Sequence, residues 1–294
     1  MEYSKRKDMV FIVIPVFNRI AYTVNCLKSL QNQGAVNYKI IVVDHGSTDG
    51  TSTFIEENFP GIILLLGEES MWWAAATNVG VRYALSCGAD YVLTLNNDLI
   101  VGKHYLKSLL RVAGTNPKAI VGSISVDITD HQRVVFAGTD YSPWHAGYRD
   151  KVDLSLGYDE LKKRQKTIGS DLLPGRGTLI PVEVFHHLGL FDEKSFPHYA
   201  ADEDLSLRAK RKGYPLMVST ASVVYSHVQQ TGLVRERFSV DYALKVFTSV
   251  RSPKNLKIRW RWALKHSKTP APLYFAIDFS RLVMGMLFKS STSQ

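Results

Sequence analysis

A chain of 294 residues, 45% apolar and 21% charged, has the composition of an ordinary globular protein and can bury the core of one large or two small α/β domains. Lys and Arg outnumber Asp and Glu by 36 to 27, but the excess sits at the end of the chain, where residues 245–294 hold ten Lys/Arg and one acid, Asp278. A neutral body with a basic, aromatic tail argues against a nucleic-acid partner and for an anionic membrane surface.

The first eight residues are polar and the apolar run Met9–Val16 is too short for a signal peptide, so the expected location is cytoplasmic. Cys26 and Cys87 show no metal or redox spacing and read as buried free thiols of a reducing compartment. In chain order, Val10–Val16 predicts a strand, Ile20 to Gln33 a helix, Lys39–Val43 a strand and Thr51–Asn58 a helix. Ile62–Leu66, Ala74–Ser86, Tyr91–Leu95, His104–Ala113 and Ala119–Ser125 continue the alternation. This spacing implies βαβ units and a Rossmann-like, twisted, mostly parallel sheet flanked by helices. No Gly-x-Gly-x-x-Gly turn is present, which argues against a dinucleotide-binding dehydrogenase. From about 126 to 175 the pattern loosens into what reads as a loop-rich insertion covering an acceptor. Helical patterns return at Val182–Leu188 and Asp202–Lys212, a short strand follows at Val223–His227, and the tail begins near Thr231.

The most informative segment is Tyr91-Val-Leu-Thr-Leu-Asn-Asn-Asp98, a buried-strand pattern ending in two amides and an acid. Asn96, Asn97 and Asp98 then sit at the carboxyl edge of the sheet, where such folds bind ligands. Oxygen donors there suit a hard divalent cation shared with a diphosphate, although a solvated loop has the same composition. In Ile14-Pro-Val-Phe-Asn-Arg19, Phe17 offers a stacking face and Arg19 a phosphate fork, against a plain proline-shaped strand exit. Asp44 and His45 end the second strand; Ser47 and Thr48 read as the cap of the next helix, which leaves Asp44 free to accept from a base or ribose. Trp72 and Trp73 are open between facing a sugar ring and filling the core. Asp202, Glu203 and Asp204 open a helix beside the glycine-walled Pro174–Gly177 loop. One acid suffices for capping, so the others suggest a general base and a hydroxyl anchor, unless Asp204 pairs with Arg208 four residues on. His227 ends a strand, either as a structural imidazole or as a metal ligand.

Taken in order, these segments resemble the family-2 glycosyltransferases with the GT-A fold, over Met9 to His227. The specific parts are Val43–Gly50, Trp72–Asn78, Leu95–Asp98, Pro174–Pro181 and Phe191–Tyr214. The resemblance implies inverting transfer from a UDP- or dTDP-sugar donor to a glycan or lipid-linked glycan, assisted by Mg or Mn. By that likeness Asp202 is the base, and Asp98 and His227 are metal ligands. Pro15, Phe17, Asn18, Arg19, Asp44, His45, Asn78, Asn96 and Asn97 line the donor pocket. Trp72, Trp73, Arg176, Gly177, Glu203 and Asp204 face the acceptor. Three positions depart from the family pattern: His45 replaces an acid, Asn replaces the first acid of the metal motif, and Ala201 replaces the acid before Asp202. The implied organisation is a GT-A domain over 1–230, with a nucleotide-sugar half over about 9–125 and an acceptor half over about 126–230, then a helical extension over 231–294.

Within the extension, Leu273–Phe288 carries Asp278 and Arg281 three residues apart, as a helix lying in a membrane interface would. Docking on the core or on a second copy of the chain is the alternative, so a homo-oligomer is compatible with the sequence. Two rival functions remain. A sugar-1-phosphate nucleotidyltransferase is disfavoured because no glycine-rich basic loop follows the first strand, and a non-catalytic glycan-binding protein is disfavoured by Asp98, Asp202 and His227.

Overall fold

The computed structural model describes residues 8–31, 33–227 and 240–290. Its first part alternates as the periodicity predicts, through β1 (Met9–Val16), α1 (Ile20–Leu30), β2 (Asn37–Asp44), α2 (Thr51–Asn58), β3 (Ile63–Leu66), α3 (Trp73–Ser86) and β4 (Tyr91–Thr94). A short β5 (Leu99–Val101) precedes α4 (Tyr105–Thr115) and β6 (Ile120–Asp127). The loosely patterned stretch is more ordered than its sequence suggests. It contains β7 (Val134–Phe136), the hairpin β8 (Thr139–Ser142) and β9 (Gly147–Asp150), α5 (Tyr158–Arg164) and β10 (Thr167–Gly169). The hairpin strands Thr-Asp-Tyr-Ser and Gly-Tyr-Arg-Asp are short and largely exposed, so no apolar face announces them.

The chain continues through β11 (Thr178–Pro181), α6 (Val182–Leu188), α7 (Ala201–Arg211) and β12 (Leu216–Ser226), then α8 (Val240–Thr248), α9 (Leu256–His266) and α10 (Ala271–Ser290). The main sheet runs β10-β12-β6-β11-β4-β1-β2-β3. β3, β2, β1 and β4 are mutually parallel, and β11 is antiparallel to both β4 and β6. β12 returns parallel to β6. Hence β1, β2, β4, β6 and β12 all present their carboxyl ends at one edge, together with the amino end of β11. The fold is α/β with a mostly parallel sheet, as expected. β11 escaped the sequence reading because four residues between Gly177 and a helix carry no period.

β1 is buried on both faces because it is central and parallel. Val10, Ile12, Ile14 and Val16 pack with Leu27, Leu30, Leu106 and Leu109, while Phe11 and Val13 face Ala74, Ala76 and Val81 of α3 and Leu205 of α7. α3 lies so close that a Cβ on Gly80 would stand 2.4 Å from Val13 Cγ1. Each fully buried Leu or Ile contributes roughly 2 kcal/mol, so these two layers hold the carboxyl edge rigid.

The basic tail docks on the body. Trp262 Nε1 donates to Tyr141 Oη at 3.0 Å, the Tyr141 and Tyr274 hydroxyls are 2.8 Å apart, and His266 is fully buried. Asp278 is also buried, with Arg259 Nη1 at 2.7 and 2.6 Å from its two oxygens. The expectation that Asp278 shares an outward polar face with Arg281 is thereby corrected: it anchors α10 to α9. Among the described residues no helix is long and apolar enough to cross a membrane. Cys26 is buried, but Cys87 is exposed at the end of α3, against the reading of both as core thiols. The expected tail start near Thr231, and the 230/231 boundary, fall outside the described residues.

Candidate active site

Every expected site residue except Asn78 and Asp204 lies on, or next to, the carboxyl edge of the sheet or the helix starts above it. After β1, Asn18 and Arg19 both adopt left-handed backbone, with φ of 57° and 64°. Such conformations cost roughly 1 kcal/mol or more in a non-glycine residue and need outside support. Asn18 supplies it: its N–H donates to Ser47 Oγ at 2.7 Å and its Oδ1 accepts from Thr48 N–H at 2.8 Å. The loops after β1 and β2 are thus sewn together. Ser47 is used here rather than as a helix cap, and α2 has Gly50 at its cap position. Pro15 is buried within β1, paired with Val43 of β2. Asp44 is buried, with Oδ1 accepting from Ser47 N–H at 2.9 Å and Oδ2 from the Ser52 hydroxyl. Phe17 and His45 stack at 5.4 Å, and burial pushes the His45 imidazole below its usual range although Asp44 opposes this. His45 Nδ1 is buried with no hydrogen-bond partner among the described residues.

At the end of β4, Asn96 Oδ1 accepts from Trp73 Nε1 at 3.0 Å, and Asn97 Nδ2 donates to Thr23 Oγ1 at 3.0 Å. Trp73 is a positioning residue half in the core, as the packing alternative held. It packs on Phe191, and a Cβ on Gly175 would stand 2.3 Å from its ring. Asp98 makes no hydrogen bond or ion pair among the described residues. The antiparallel register pairs Ser226 of β12 with Leu99 of β5, and Asp98 and His227 are the residues just beyond that last pair. The His227 ring packs edge-on against Tyr22 at 5.1 Å. No cluster of three or more His, Cys, Asp or Glu side chains arranged for a metal is present among the described residues.

Sequence reasoning missed Asp127. It ends β6, a buried strand whose Gly122, Ser123 and Ser125 interrupt the apolar run that marked Asp44 and Asp98. Its carboxyl is held below the usual range by Thr129, whose N–H and hydroxyl donate at 2.9 and 2.8 Å, and it lies within electrostatic reach of His227.

On the acceptor side, α7 starts from Ala200, another non-glycine residue with left-handed backbone, at φ 69°. Asp202 Oδ2 accepts from Gly175 N–H at 2.7 Å and Oδ1 from Glu203 N–H at 2.9 Å. Burial raises the Asp202 carboxyl, while the two N–H bonds and Arg176 hold it back. Beside it, burial and the Asp202 charge push Glu203 up to about 8. Glu203 also lies within electrostatic reach of Tyr148 on β9 and of Arg259. Arg176 Nη1 reaches Ser226 Oγ at 3.5 Å. Gly177, at φ 87°, is needed because a Cβ would lie 2.5 Å from Tyr105 Oη. Gly177 is therefore a backbone requirement of the loop that carries Arg176.

Two expected site residues are turned inward. Asp204 is fully buried and pairs with Arg208, Lys265 and His266, as the i,i+4 alternative allowed. Asn78 is buried too: its Nδ2 donates to Phe191 C=O at 2.9 Å and to Glu193 Oε2 at 2.6 Å, and its Oδ1 accepts from Phe191 N–H at 3.0 Å. Both are short polar side chains on helices, and only packing decides which way they face.

A cluster around Trp72 was also missed. His198 packs edge-on to Trp72 at 5.9 Å, and the Arg251 guanidinium lies 5.7 Å from the Trp72 ring centre. Burial, with the charges of Arg251 and His45, drives His198 down to about 4, and its Nδ1 is buried with no hydrogen-bond partner among the described residues. Arg251 comes from the tail, which is why proximity in sequence gave no warning.

The model of glycosyl transferase family 2 matches residues 11–189, from within β1 to the end of α6, which includes the loops after β1, β2 and β4. The chain belongs to glycosyl transferase family 2. It is 24% identical over 205 residues to the dTDP-rhamnosyl transferase RfbF of Shigella flexneri, covering 69% of this chain and 64% of that protein. It is 25% identical over 123 residues to the putative glycosyltransferase EpsH of Bacillus subtilis, 41% of this chain and 35% of the relative, so the chain spans only part of the length of these relatives. Its fold superposes on GalNAc-T7, solved with UDP, GalNAc and Mn2+, with a TM-score of 0.63 at 14% identity, covering 94% of this chain and 55% of that one. The fold is GT-A and the protein is a glycosyltransferase.

Proposed function

We propose that this chain is an inverting glycosyltransferase that uses a divalent metal and moves a sugar from a UDP- or dTDP-sugar to a hydroxyl of a glycan or lipid-linked glycan. Its proposed place is the cytoplasm, at the inner face of a membrane. The observation that carries the reading is the single poised base. Asp202 is fixed by two backbone N–H donors at the start of α7, with its carboxyl raised by burial toward the range of a working base. A retaining mechanism would need a second carboxylate as nucleophile, whereas burial beside the Asp202 charge raises the Glu203 carboxyl and disfavours its ionised form.

In this reading Asp202 takes the proton of the acceptor hydroxyl as that oxygen attacks the anomeric carbon and the nucleoside diphosphate leaves from the opposite face. Phe17 and His45 stack on or beside the base, and Asp44, braced by Ser47 and Ser52, accepts from it or from the ribose. Arg19 and Arg176 bring positive charge toward the diphosphate. Asp98 and His227 would hold Mg or Mn, which when bound neutralises charge on the leaving diphosphate. The UDP and Mn2+ bound to GalNAc-T7 and the dTDP donor in the name of RfbF support this donor class.

The test is thermal shift with UDP, dTDP, GDP and their sugars, with and without manganese, followed by a donor-hydrolysis assay. A metal-dependent rise for one base together with turnover is the expected result. Binding without turnover on any acceptor tried would favour a non-catalytic binding protein, and no binding would sink the donor reading.

A further inference from the structure

Nine large apolar or aromatic side chains are exposed among the described residues, and six of them, Leu244, Trp260, Leu264, Leu273, Phe279 and Met284, lie on α8, α9 and α10. A soluble monomer has no need to gather them there. They belong to one surface, because a ladder of rings joins the three helices. Trp260 on α9 meets Phe275 on α10 at 5.4 Å, Phe275 is followed by Phe279 at 6.4 Å, and Phe279 meets Phe247 on α8 at 6.0 Å.

The helical spacing agrees. On α9, Lys257, Trp260 and Leu264 follow at three and four residues and share one exposed stripe, opposite the buried Ile258 and Trp262. On α10, Leu273, Ala276, Ser280 and Met284 form an exposed stripe opposite Tyr274, Asp278 and Leu282. Charge selects the occupant. Residues 245–294 contain ten Lys/Arg and one acid, and that acid, Asp278, is buried and neutralised by Arg259. From residue 245 onward the stretch therefore carries exposed cations such as Lys245, Lys257 and Arg281 around its apolar stripes, while α8 has one acid before that point, Asp241.

We infer that α8, α9 and α10 form a ready-folded docking face for an anionic lipid bilayer, with Trp260, Leu264, Leu273 and Phe279 entering the interface and the lysines and arginines meeting headgroup phosphates. This differs from a tail that folds on contact, because the inward side of the same helices is already fixed to the body through Tyr141, Trp262, Tyr274 and His266. The lipid surface thereby sets the orientation of the whole enzyme. The inference rests on the membrane part of the proposed function and is independent of its chemistry.

The experiment is co-sedimentation of the full chain with phosphatidylcholine vesicles, with and without phosphatidylglycerol, at low and high salt. Wild type is expected to pellet with the anionic vesicles only, less so at high salt. Lys257→Glu changes the face by two charges and should weaken partition roughly 30-fold, at about fivefold per charge. Leu264→Glu should weaken it by roughly tenfold or more. Both sites are exposed, so melting temperature and nucleotide-induced thermal shift should match wild type.

Absence of pelleting with either vesicle overturns the inference. So does pelleting that both variants leave unchanged, which would locate the contact elsewhere. A lipid-independent dimer that Leu264→Glu splits would assign the face to a second copy of the chain, again against the inference. Vesicle binding by a protein blind to every nucleotide would instead remove the donor reading and leave this face standing.

Discussion

Asp204→Asn separates a structural acid from a site acid, and the structure fixes its expected size. The carboxylate is fully buried, with Oδ2 2.8 Å from Arg208 Nε and Oδ1 2.7 Å from Lys265 Nζ and 2.9 Å from His266 Nε2. Burial alone would raise its pKa, but the bonds from His266, Arg208 and Lys265 win and hold it at about 2, against 3.8 for a free side chain. At about 1.4 kcal/mol per unit, that difference corresponds to roughly 2.5 kcal/mol of stability. Because the folded-state value is depressed, this contribution is complete above about pH 4 and disappears as pH falls toward about 2.

Asparagine removes more than this, since Arg208 and Lys265 then face an uncharged group in a dry site; loss of one partner of a buried pair costs about 3–5 kcal/mol. With about 2–4 °C per kcal/mol for domains of comparable size, the melting temperature should fall on the order of 10 °C at pH 7. The assay is thermal denaturation followed by circular dichroism, from pH 7 down to the acid limit of folding. The gap between variant and wild type should narrow as pH falls below about 4. Limited proteolysis should also cut the variant first in α9 and α10, which Asp204 tethers to the body. A melting temperature within about 2 °C of wild type, paired with a large loss of activity, would refute the reasoning and restore Asp204 to the acceptor site.

Asp202→Asn should lower kcat about 10²–10⁴-fold while nucleotide affinity stays within a few fold, as expected for loss of a general base. In wild type, kcat/KM should rise with pH through a value above the ordinary carboxylate range, because burial raises Asp202 and only its ionised form takes the proton; a profile flat from pH 4 to 8 would contradict this. Glu203→Gln should be nearly silent at pH 7, since Glu203 titrates near 8 and is already protonated there, with a difference emerging only above that value; a loss beyond about tenfold at pH 7 would assign its charge a role. Arg251→Ala should weaken nucleoside diphosphate binding several fold by calorimetry while sparing the nucleoside, since the residue would act through charge beside Trp72 and His198. Equal losses for both would make it a packing residue. Gly177→Ala should lower stability by a few kcal/mol in a denaturant titration, because φ 87° and a Cβ 2.5 Å from Tyr105 Oη are both intolerable in a rigid core.

The sequence by itself determined the alternation of strands and helices in the first part, because β1, β2 and β4 are buried on both sides and so read as apolar runs. It also singled out Asp44, Asp98 and Asp202, because an acid after an apolar strand has few structural reasons to be there and three acids at one helix head exceed what capping needs. Tertiary structure decided which way ambiguous side chains face. Asp204 and Asn78 look like site residues on a helix and turn into the core, since burial depends on what packs against each face and not on local spacing. Trp73 proved to be the brace of Asn96, and Gly175 its necessary clearance. β11 was illegible because its pairing is long-range and four residues are too few for a period, and the β8–β9 hairpin because its short strands are largely exposed. The same holds for Arg251: no local signal in residues 245–294 indicates which face of the body the tail meets, and only docking of α9 carries that cation to Trp72, some 180 residues earlier in the chain.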